Sequence, residues 1–297
     1  MSKLTMTLPF PRVVQNANSP LRRALRRFRQ HRLAMLGVVI ITILVIAAMI
    51  GSESDAINNN LKQMNKPPSL THPLGTDRTG RDVLARTLVG GRVSLAVGLV
   101  SVAFSTMIGM TLGALAGYFR GWVDVVIMRV VDVVMSFPVI VLLLVVVALV
   151  GPGIFKLMVM IGLLTWTTPC RIIRGEFLSL REKEYIEAAR CIGLNDADIA
   201  IKHILPNAIA PLLVYASLGV ASAVLLEAGL SFLGLGVQPP TPSWGNMLNT
   251  ARSISTMERN LWQWVPPAIC TVLFVLSVNF VGDGIRDAVD PRTQFKK

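Results

Sequence analysis

The chain has little charge for its length. Asp, Glu, Lys and Arg account for only 15% of its 297 residues, whereas 53% are hydrophobic. A single soluble core cannot bury so much apolar surface, so the composition excludes an ordinary soluble globular protein. It predicts an integral membrane protein instead.

Cysteine is also scarce. The three cysteines, Cys170, Cys191 and Cys270, are far apart, and the sequence contains no C-x-x-C motif. This spacing excludes the common cysteine-based metal and redox sites. We therefore interpret all three as small side chains that fill the core.

Motifs for catalysis and for nucleotide binding are absent. The sequence has no G-x-x-x-x-G-K-[ST] loop and no H-E-x-x-H pair, and its three histidines are scattered. These absences argue against a P-loop and against a catalytic centre. We predict a non-catalytic chain that binds no metal or cofactor itself and that takes its energy from a partner.

Positive charge is present in excess, with a formal net charge of +12. Membrane proteins retain Lys and Arg on the cytoplasmic side, so the excess does not require nucleic acid as a partner. Residues 1–32 contain six clustered arginines, and Leu21, Leu25 and Phe28 share one face of a helix that is predicted to start near Pro20. We expect this helix to lie on the inner membrane surface, with docking of a partner as the alternative.

Six apolar segments follow, and a bilayer crossing takes about 20 residues. The predicted spans lie at about residues 33–52, 93–118, 133–154, 156–174, 206–235 and 262–282. With six crossings and a cytoplasmic N-terminus, 20 of the 29 Lys and Arg residues face the cytoplasm, as the positive-inside rule requires. The sequence thus predicts an all-α membrane protein with six transmembrane helices within residues 33–291, both termini cytoplasmic and a short tail at 292–297.

Charged and helix-breaking residues mark the third and fifth spans. Arg129 and Asp132 lie one turn apart, and we interpret them as a structural ion pair, with a gating role as the alternative. Pro138 lies inside the apolar run and predicts a bend. Glu227, near the far end of the fifth span, either faces a pathway or a partner, or lies at the outer interface.

The second span carries Gly109, Gly113 and Gly117 at four-residue spacing. Small residues at this spacing let helices pack closely. Close packing is our interpretation, and a face that lines a pathway is the alternative.

A polar segment, Glu184–Pro206, interrupts the apolar sequence, and the charge pattern places it in a cytoplasmic loop at about 176–206. Its first half predicts a helix with an apolar stripe formed by Tyr185, Ala189 and Ile192.

The second half of the segment begins at a turn. Gly193 supplies the left-handed residue that ends the first helix. Asn195, with Asp198 three residues further on, predicts the cap of a second short helix. The segment is therefore expected to form a rigid polar helix-turn-helix.

The same segment resembles the E-A-A-x(3)-G-x(9)-I-x-L-P signature of permease subunits of bacterial ATP-binding-cassette importers. The matching positions are Glu187, Ala188, Ala189, Gly193, Leu205 and Pro206, while His203 stands at the isoleucine position. The runs LGTDRTGRDV, AGYFRGWVD, LSFLGLGVQPPTPSWGNML and GDGIRDAVDP resemble the dipeptide, oligopeptide and nickel branch, specifically its second, C-type permease. The similarity covers Leu33–Pro291.

This resemblance implies a type I importer permease fold in the bacterial inner membrane. It implies a homologous B-type permease, two cytoplasmic ATPase subunits that bind ATP and Mg, and an extracytoplasmic substrate-binding protein as partners. The solute would be a di- or oligopeptide moved by alternating access. Nickel chelates, glutathione and opines are the alternatives in the same architecture.

The resemblance also implies roles for residues. Coupling to an ATPase would involve Glu184, Tyr185, Glu187, Ala188, Ala189, Gly193, Leu194 and Pro206. The residues themselves, apart from the resemblance, make Glu227, Pro138, Arg129 and Asp132 candidates for the pathway or the subunit interface. Docking of the binding protein would involve Asp77, Arg81, Asp82, Gln238, Pro239 and Trp244.

Two other classes of protein remain open from the residues alone. A stand-alone channel or ion-coupled transporter would act without partners and would need more intramembrane charge than Glu227 supplies. A membrane enzyme would need a polar cluster inside the spans, and the sequence shows none.

Overall fold

The computed structural model describes residues 20–289, so residues 1–19 and the tail predicted at 292–297 lie outside the described residues. The first helices are α1 (Pro20–Gln30), α2 (Arg32–Ile50), α3 (Glu53–Ile57), α4 (Val83–Phe119), α5 (Gly121–Met135), α6 (Val139–Val150) and α7 (Ile154–Thr165). They are followed by α8 (Thr167–Leu180), α9 (Glu184–Cys191), α10 (Asp196–Asp198), α11 (Leu205–Phe232), α12 (Trp244–Leu248), α13 (Ile254–Arg259) and α14 (Val265–Val289).

Four continuous helical segments are long and apolar enough to cross a membrane. They are α2, α4, α14 and the run Asp196–Phe232, which contains α10 and α11. Two bent pairs add further candidate spans, α5 with α6 at 84° and α7 with α8 at 41°. The fold therefore supports four to six crossings, while the count of six and the side on which each terminus lies stay predictions.

The long helix α4 lies at the centre of the bundle, where it packs against α2, α7, α8 and α11. Its glycines permit the contact with α8. A Cβ added at Gly109 would lie 2.7 Å from the carbonyl oxygen of Trp166, and one at Gly117 would lie 2.6 Å from the Cβ of Phe177. Larger side chains would hold the two backbones apart. The predicted close packing along this glycine face is confirmed.

The bend between α5 and α6 occurs at Pro138. The α5 helix ends at Met135, and α6 begins directly after the proline. The proline ring removes a backbone N–H and disfavours a helical conformation in the preceding residue, Phe137. The bend predicted at Pro138 is confirmed.

Two ion pairs connect α5 to α8. Asp132 Oδ1 lies 2.5 Å from Arg171 Nη2, and both oxygens of Asp124 accept hydrogen bonds from Arg174, at 2.5 and 2.6 Å. The predicted pair between Asp132 and Arg129 is therefore wrong, and Arg129 is exposed. The reason is tertiary, because the packing of α8 brings arginines of another helix up to both carboxylates.

Arg92 of α4 holds the end of α2. Its guanidinium donates hydrogen bonds to the carbonyl oxygens of Ala48, Met49 and Gly51, at 2.6, 2.9 and 2.6 Å. The last carbonyls of a helix have no intrahelical partner, so Arg92 caps α2 from a neighbouring helix. The sequence analysis did not identify this residue.

Candidate functional site

The short helix α9 is attached to the protein through one face. Ile186 and Ala189 are buried, and they belong to a cluster that also contains Phe177, Ile199 and Ile204. Residues three apart lie on the same side of a helix, so this pair defines the inward face of α9.

A second side of α9 is apolar and exposed. Tyr185 is 44% exposed and Ile192, the residue after the helix, is 78% exposed; Ala188 between them is exposed as well. Of the predicted stripe of Tyr185, Ala189 and Ile192, only Ala189 is buried, so the stripe does not form the packed face. We call Tyr185, Ala188 and Ile192 the outward face.

The cysteine at the end of α9 corrects another expectation. Cys170 is buried and Cys270 is half-buried, but Cys191 is exposed. The interpretation of all three cysteines as core side chains is therefore wrong for Cys191, because the inward face of α9 is already formed by Ile186 and Ala189.

Gly193 ends α9 in the predicted left-handed conformation, with φ of +83°. Its N–H donates to the Arg190 carbonyl at 3.0 Å, and the Leu194 N–H donates to the Ala189 carbonyl at 3.2 Å. These bonds satisfy carbonyls at the helix end, and Leu194 turns back against the buried cluster. The predicted left-handed turn at Gly193 is confirmed.

Asn195 caps the next helical segment, since its Oδ1 accepts a hydrogen bond from the Asp198 N–H at 2.7 Å. This segment is not a separate short helix as predicted. A π-helical turn, Ile199–Ile204, carries it directly into α11, whose second residue is Pro206. The second half of the polar segment, from Asp196 on, is therefore an extension of a long helix.

Several polar contacts fix the segment to its neighbours. The Tyr118 hydroxyl at the end of α4 donates to Asp196 Oδ1. The Arg181 guanidinium donates to the Tyr118 carbonyl and lies 5.5 Å from the centre of the tyrosine ring. Beside them, a hydrogen bond from Arg120 lowers the pKa of Glu182. The segment after Gly193 is thus bonded to the end of α4, which in turn is bonded to the end of α8.

The acidic residues of the signature lie in the first turn of α9. Glu184 and Glu187 are both exposed. Negative charge is favoured near the N-terminus of a helix, where backbone N–H groups lack partners. The same position leaves both carboxylates available to a partner protein.

Glu227 is fully buried inside the chain. Its carboxylate accepts hydrogen bonds from the hydroxyls of Ser94, Ser231 and Ser243, at 3.1, 2.7 and 2.8 Å. Both interpretations offered by the sequence, a cavity-facing acid and an outer-interface acid, are corrected, because three serines from α4, α11 and the start of α12 surround it. Its role here is to hold these elements together.

Trp244 is buried as well, at 2% exposed, and its indole N–H donates to the Thr87 carbonyl at 2.9 Å. The helix that carries it, α12, starts with a capping box formed by Ser243 and Asn246. Trp244 is therefore unavailable for docking of a binding protein. The S-x-x-N spacing was a signal for this cap that the sequence analysis did not use.

Asp77 forms the centre of the loop before α4. It accepts hydrogen bonds from the Thr79 and Arg81 backbone N–H groups at 2.8 and 3.0 Å, and it lies 2.7 Å from Arg81 Nε and 3.5 Å from Arg86 Nε. Burial alone would raise its pKa, but the hydrogen bonds and the two arginine charges lower it overall. Asp77 and Arg81 thus stabilise the loop and are not free docking groups.

Asp82 also has a structural role. It caps α4 by accepting from the Ala85 N–H at 2.8 Å, and its other oxygen lies 2.8 Å from His72 Nδ1. Of the residues predicted to dock a binding protein, Gln238 and Pro239 remain exposed, in the segment between α11 and α12.

Within residues 20–289, no group of His, Cys, Asp or Glu side chains could hold a metal ion.

Two known families match different parts of the chain. Residues 109–295 match the family described as binding-protein-dependent transport system inner membrane component. Residues 19–68 match the N-terminal TM domain of oligopeptide transport permease C. The first match includes α9 and its surroundings, and the second includes α1 and α2.

Curated relatives extend over almost the whole chain. A putative peptide permease from Brucella suis is 46% identical, with 94% of this chain and 93% of that protein covered. A glutathione transport system permease from Pectobacterium atrosepticum is 41% identical over 96% and 95% of the two chains. A dipeptide transport system permease from Alkalihalophilus pseudofirmus is 38% identical over 96% and 95%.

The fold has a counterpart among solved structures. A chain of the inward-facing MetNI methionine ABC transporter aligns with a TM-score of 0.56 and 22% identity, covering 69% of this chain and 96% of that chain. At this identity the match shows the fold alone. Together with the two family matches, it establishes that the chain belongs to the binding-protein-dependent transport inner membrane components, as a multi-pass permease subunit of an ATP-binding-cassette importer with the C-type N-terminal domain.

Proposed function

We propose that the chain forms one half of the membrane pathway of an ATP-driven importer of small peptides. The other half would be a homologous B-type permease, and the complex would include two ATPase subunits and an extracytoplasmic binding protein. ATP and Mg would bind to the ATPase subunits. Both termini and the α9 region would lie in the cytoplasm, in a six-span arrangement.

Peptide as the solute is supported by the relatives. Their names specify peptides, dipeptides and glutathione, which is itself a short peptide. Glutathione import is therefore the closest alternative, and nickel chelates and opines are further alternatives with the same architecture. Uptake of labelled Ala-Ala, glutathione and Ni²⁺, in cells with and without this gene product, separates them. Ala-Ala uptake that is independent of the protein would contradict the proposal.

The proposal that this chain couples to an ATPase rests on the outward face of α9. It places Tyr185, Ala188 and Ile192 in solvent beside the exposed carboxylates of Glu184 and Glu187. An exposed apolar patch with a charged rim is typical of a protein interface. We infer that it fits a groove of an ATPase subunit, with Gly193, Leu194 and Pro206 fixing its direction.

The mechanism would then be alternating access. The binding protein delivers the peptide from outside, ATP binding closes the ATPase pair, and α9 passes that movement to α8 and α11, with which it shares a buried cluster. Hydrolysis returns the pathway to the inward-open state. This step requires that α9 be firmly attached to α8 and α11, because a flexible contact would not transmit the movement.

A pair of isoleucine variants tests the coupling assignment. Ile192→Ser removes an exposed side chain of the outward face, so we expect a normally folded permease with at least about tenfold weaker binding of the ATPase subunits. Ile199→Ser changes a fully buried side chain of the same region and is expected to reduce folded yield instead. Unchanged copurification of ATPase subunits with Ile192→Ser would contradict the assignment.

Reversal of charge gives a second test of the same surface. Glu187→Arg is expected to lower peptide-stimulated ATP hydrolysis and uptake together in the reconstituted complex. A stand-alone channel or ion-coupled transporter predicts the opposite result, namely transport by the purified chain without any ATPase subunit and no effect of this variant.

A further inference from the structure

A cavity lies at the bends of the two broken helix pairs. It has a volume of about 550 Å³, and its walls come from the junction of α5 with α6, the junction of α7 with α8, and the middle of α11. A smaller cavity of about 120 Å³ adjoins it and shares Thr165, Tyr215 and Ser222. Interrupted helices within a membrane are tolerated where they line a cavity, and transporters use such places to bind solutes.

The polar groups of the larger cavity are all hydroxyls. They belong to Thr165, Thr167, Thr168, Tyr215 and Ser222. Among the described residues that line it, there is no Asp, Glu, Lys, Arg or His. The remaining wall is apolar, with Phe137, Ile140 and Leu225 as large members. A solute here would meet hydrogen-bonding groups of both kinds but no fixed charge.

Two of these hydroxyls form only long hydrogen bonds to backbone carbonyls. Tyr215 donates to the Thr165 carbonyl, and Ser222 donates to the Leu218 carbonyl, each at 3.4 Å. Hydroxyl hydrogen bonds in proteins are centred at about 2.7–2.8 Å. Thr168 and Ser222 are in addition exposed. The cavity therefore offers donors and acceptors that the protein itself does not saturate.

We propose that this cavity is where the chain contacts its solute, and that its hydroxyls bind the backbone amides of a short peptide. The inference rests on the proposed peptide import and adds a site to it. A peptide backbone presents N–H and C=O groups whatever its side chains, and hydroxyls serve both. The apolar wall can contact many side chains without selecting one by charge.

The same lining argues against a bare metal ion. Nickel prefers nitrogen ligands such as imidazole, and it also takes carboxylate oxygens. The described lining provides neither. The described lining therefore fits a peptide better than a bare nickel ion.

Thr168 allows a test with a matched control. Thr168→Asp places a carboxylate in the cavity, whereas Thr168→Asn places a neutral group of the same size there. Uptake of labelled Ala-Glu and Ala-Lys is measured for the full complex with the same binding protein. We expect Thr168→Asp to lower the Ala-Glu to Ala-Lys uptake ratio by about tenfold through repulsion and attraction of charge. Thr168→Asn is expected to leave the ratio unchanged.

The possible outcomes separate the site from the function. If the unmodified complex imports both peptides and Thr168→Asp leaves their ratio unchanged, the site assignment is overturned while peptide import stands. If the unmodified complex imports neither peptide, the proposed function fails first. Basal ATP hydrolysis and yield of each variant are measured alongside, so that a folding defect is recognised.

Protection from labelling gives an independent measurement. Ser222→Cys, in a chain that also carries Cys191→Ser, is treated with a maleimide during turnover with Ala-Ala and its binding protein. Leu213→Cys is the control, because nine residues place it on the opposite face of α11 and Leu213 is also exposed. We expect Ala-Ala to slow labelling of the Ser222→Cys chain at least about fivefold and to leave the control unchanged. Equal rates with and without Ala-Ala would overturn the proposal.

Discussion

At the scale of single residues, Gly193 is important for its backbone conformation. Its φ is +83°, yet no atom lies within 4 Å of the place that a Cβ would occupy. Gly193→Ala would therefore strain the left-handed turn by about 1–2 kcal/mol without causing a clash. We expect peptide-stimulated ATP hydrolysis of the reconstituted complex to fall several-fold.

Gly175 is the matched control for this variant. A Cβ at Gly175 also meets no atom within 4 Å, but the residue lies inside α8. Replacement of glycine by alanine in a helix stabilises it by roughly 0.5–1 kcal/mol. Gly175→Ala should leave stimulated hydrolysis unchanged, and an equal loss in both variants would show that the turn geometry is not the cause.

Asp77 predicts how stability depends on pH. Its folded pKa lies below the ordinary value of 3.8, because hydrogen bonds and the charges of Arg81 and Arg86 outweigh the effect of burial. A carboxylate of this kind contributes stability above its unfolded pKa and loses that contribution as the pH falls through the folded pKa. The stabilisation should therefore be complete near neutral pH, begin to fall near pH 4 and disappear only below the folded pKa.

The variant Asp77→Asn isolates this contribution. It leaves Arg86 buried without its carboxylate partner, a change that typically costs about 3–5 kcal/mol. We expect the Tm of the purified variant to lie well below that of the unmodified protein at pH 7, and the difference to shrink below about pH 4. A difference that stays constant across this range would argue against Asp77 as the titrating group.

At the scale of elements, the contact of α4 with α8 depends on glycine. A Cβ at Gly117 would lie 2.6 Å from the Phe177 Cβ and 2.8 Å from the Arg174 carbonyl oxygen. Gly117→Ala must push the two helices apart, which typically costs about 1–3 kcal/mol. Gly229→Ala of α11 is the control, since its nearest atom is Ile140 Cδ1 at 4.0 Å. We expect only Gly117→Ala to lower the Tm, and equal Tm values would refute the packing argument.

Helix ends, caps and bends could be predicted from the sequence, because the rules for them depend only on neighbouring residues. Gly193 as a helix end, Asn195 as a cap and Pro138 as a bend each follow from backbone chemistry within a few positions. The continuity of α10 with α11 was missed, because a cap can start a long helix as well as a short one. The sequence did not predict that Ile186 is buried instead of Tyr185, because this depends on which face of α9 the rest of the chain covers.

Contacts between distant residues were not predictable in this way. Asp132 pairs with Arg171, 39 residues away, and Glu227 pairs with Ser94, 133 residues away. For Asp132, the nearer Arg129 satisfied the helical spacing rule and gave the wrong partner. For Glu227, chemistry indicated that an intramembrane acid needs partners, but the three serines come together only in the folded bundle.

At the scale of the whole molecule, α4 connects the two ends of the permease. It is one helix of 37 residues, or about 55 Å at 1.5 Å per residue. Near its start, Ser94 binds Glu227 and the Trp244 N–H, and near its end, Tyr118 binds Asp196. The α9 region and the buried Glu227 cluster are therefore connected through one continuous helix, whereas the α5–α6 and α7–α8 pairs beside it are bent.

The turn between α6 and α7 decides how many times the chain crosses the membrane. With the junction of α4 and α5 in the cytoplasm, as proposed, this turn is extracytoplasmic if both bent pairs are spans. If both are re-entrant, it lies on the cytoplasmic side and only four crossings remain. Pro152 in this turn is exposed. With Cys191→Ser as background, we expect Pro152→Cys to react with a membrane-impermeant maleimide in intact spheroplasts, as Asn59→Cys should. Lys183→Cys should react only after permeabilisation, and if Pro152→Cys behaves like it, the six-span arrangement is wrong.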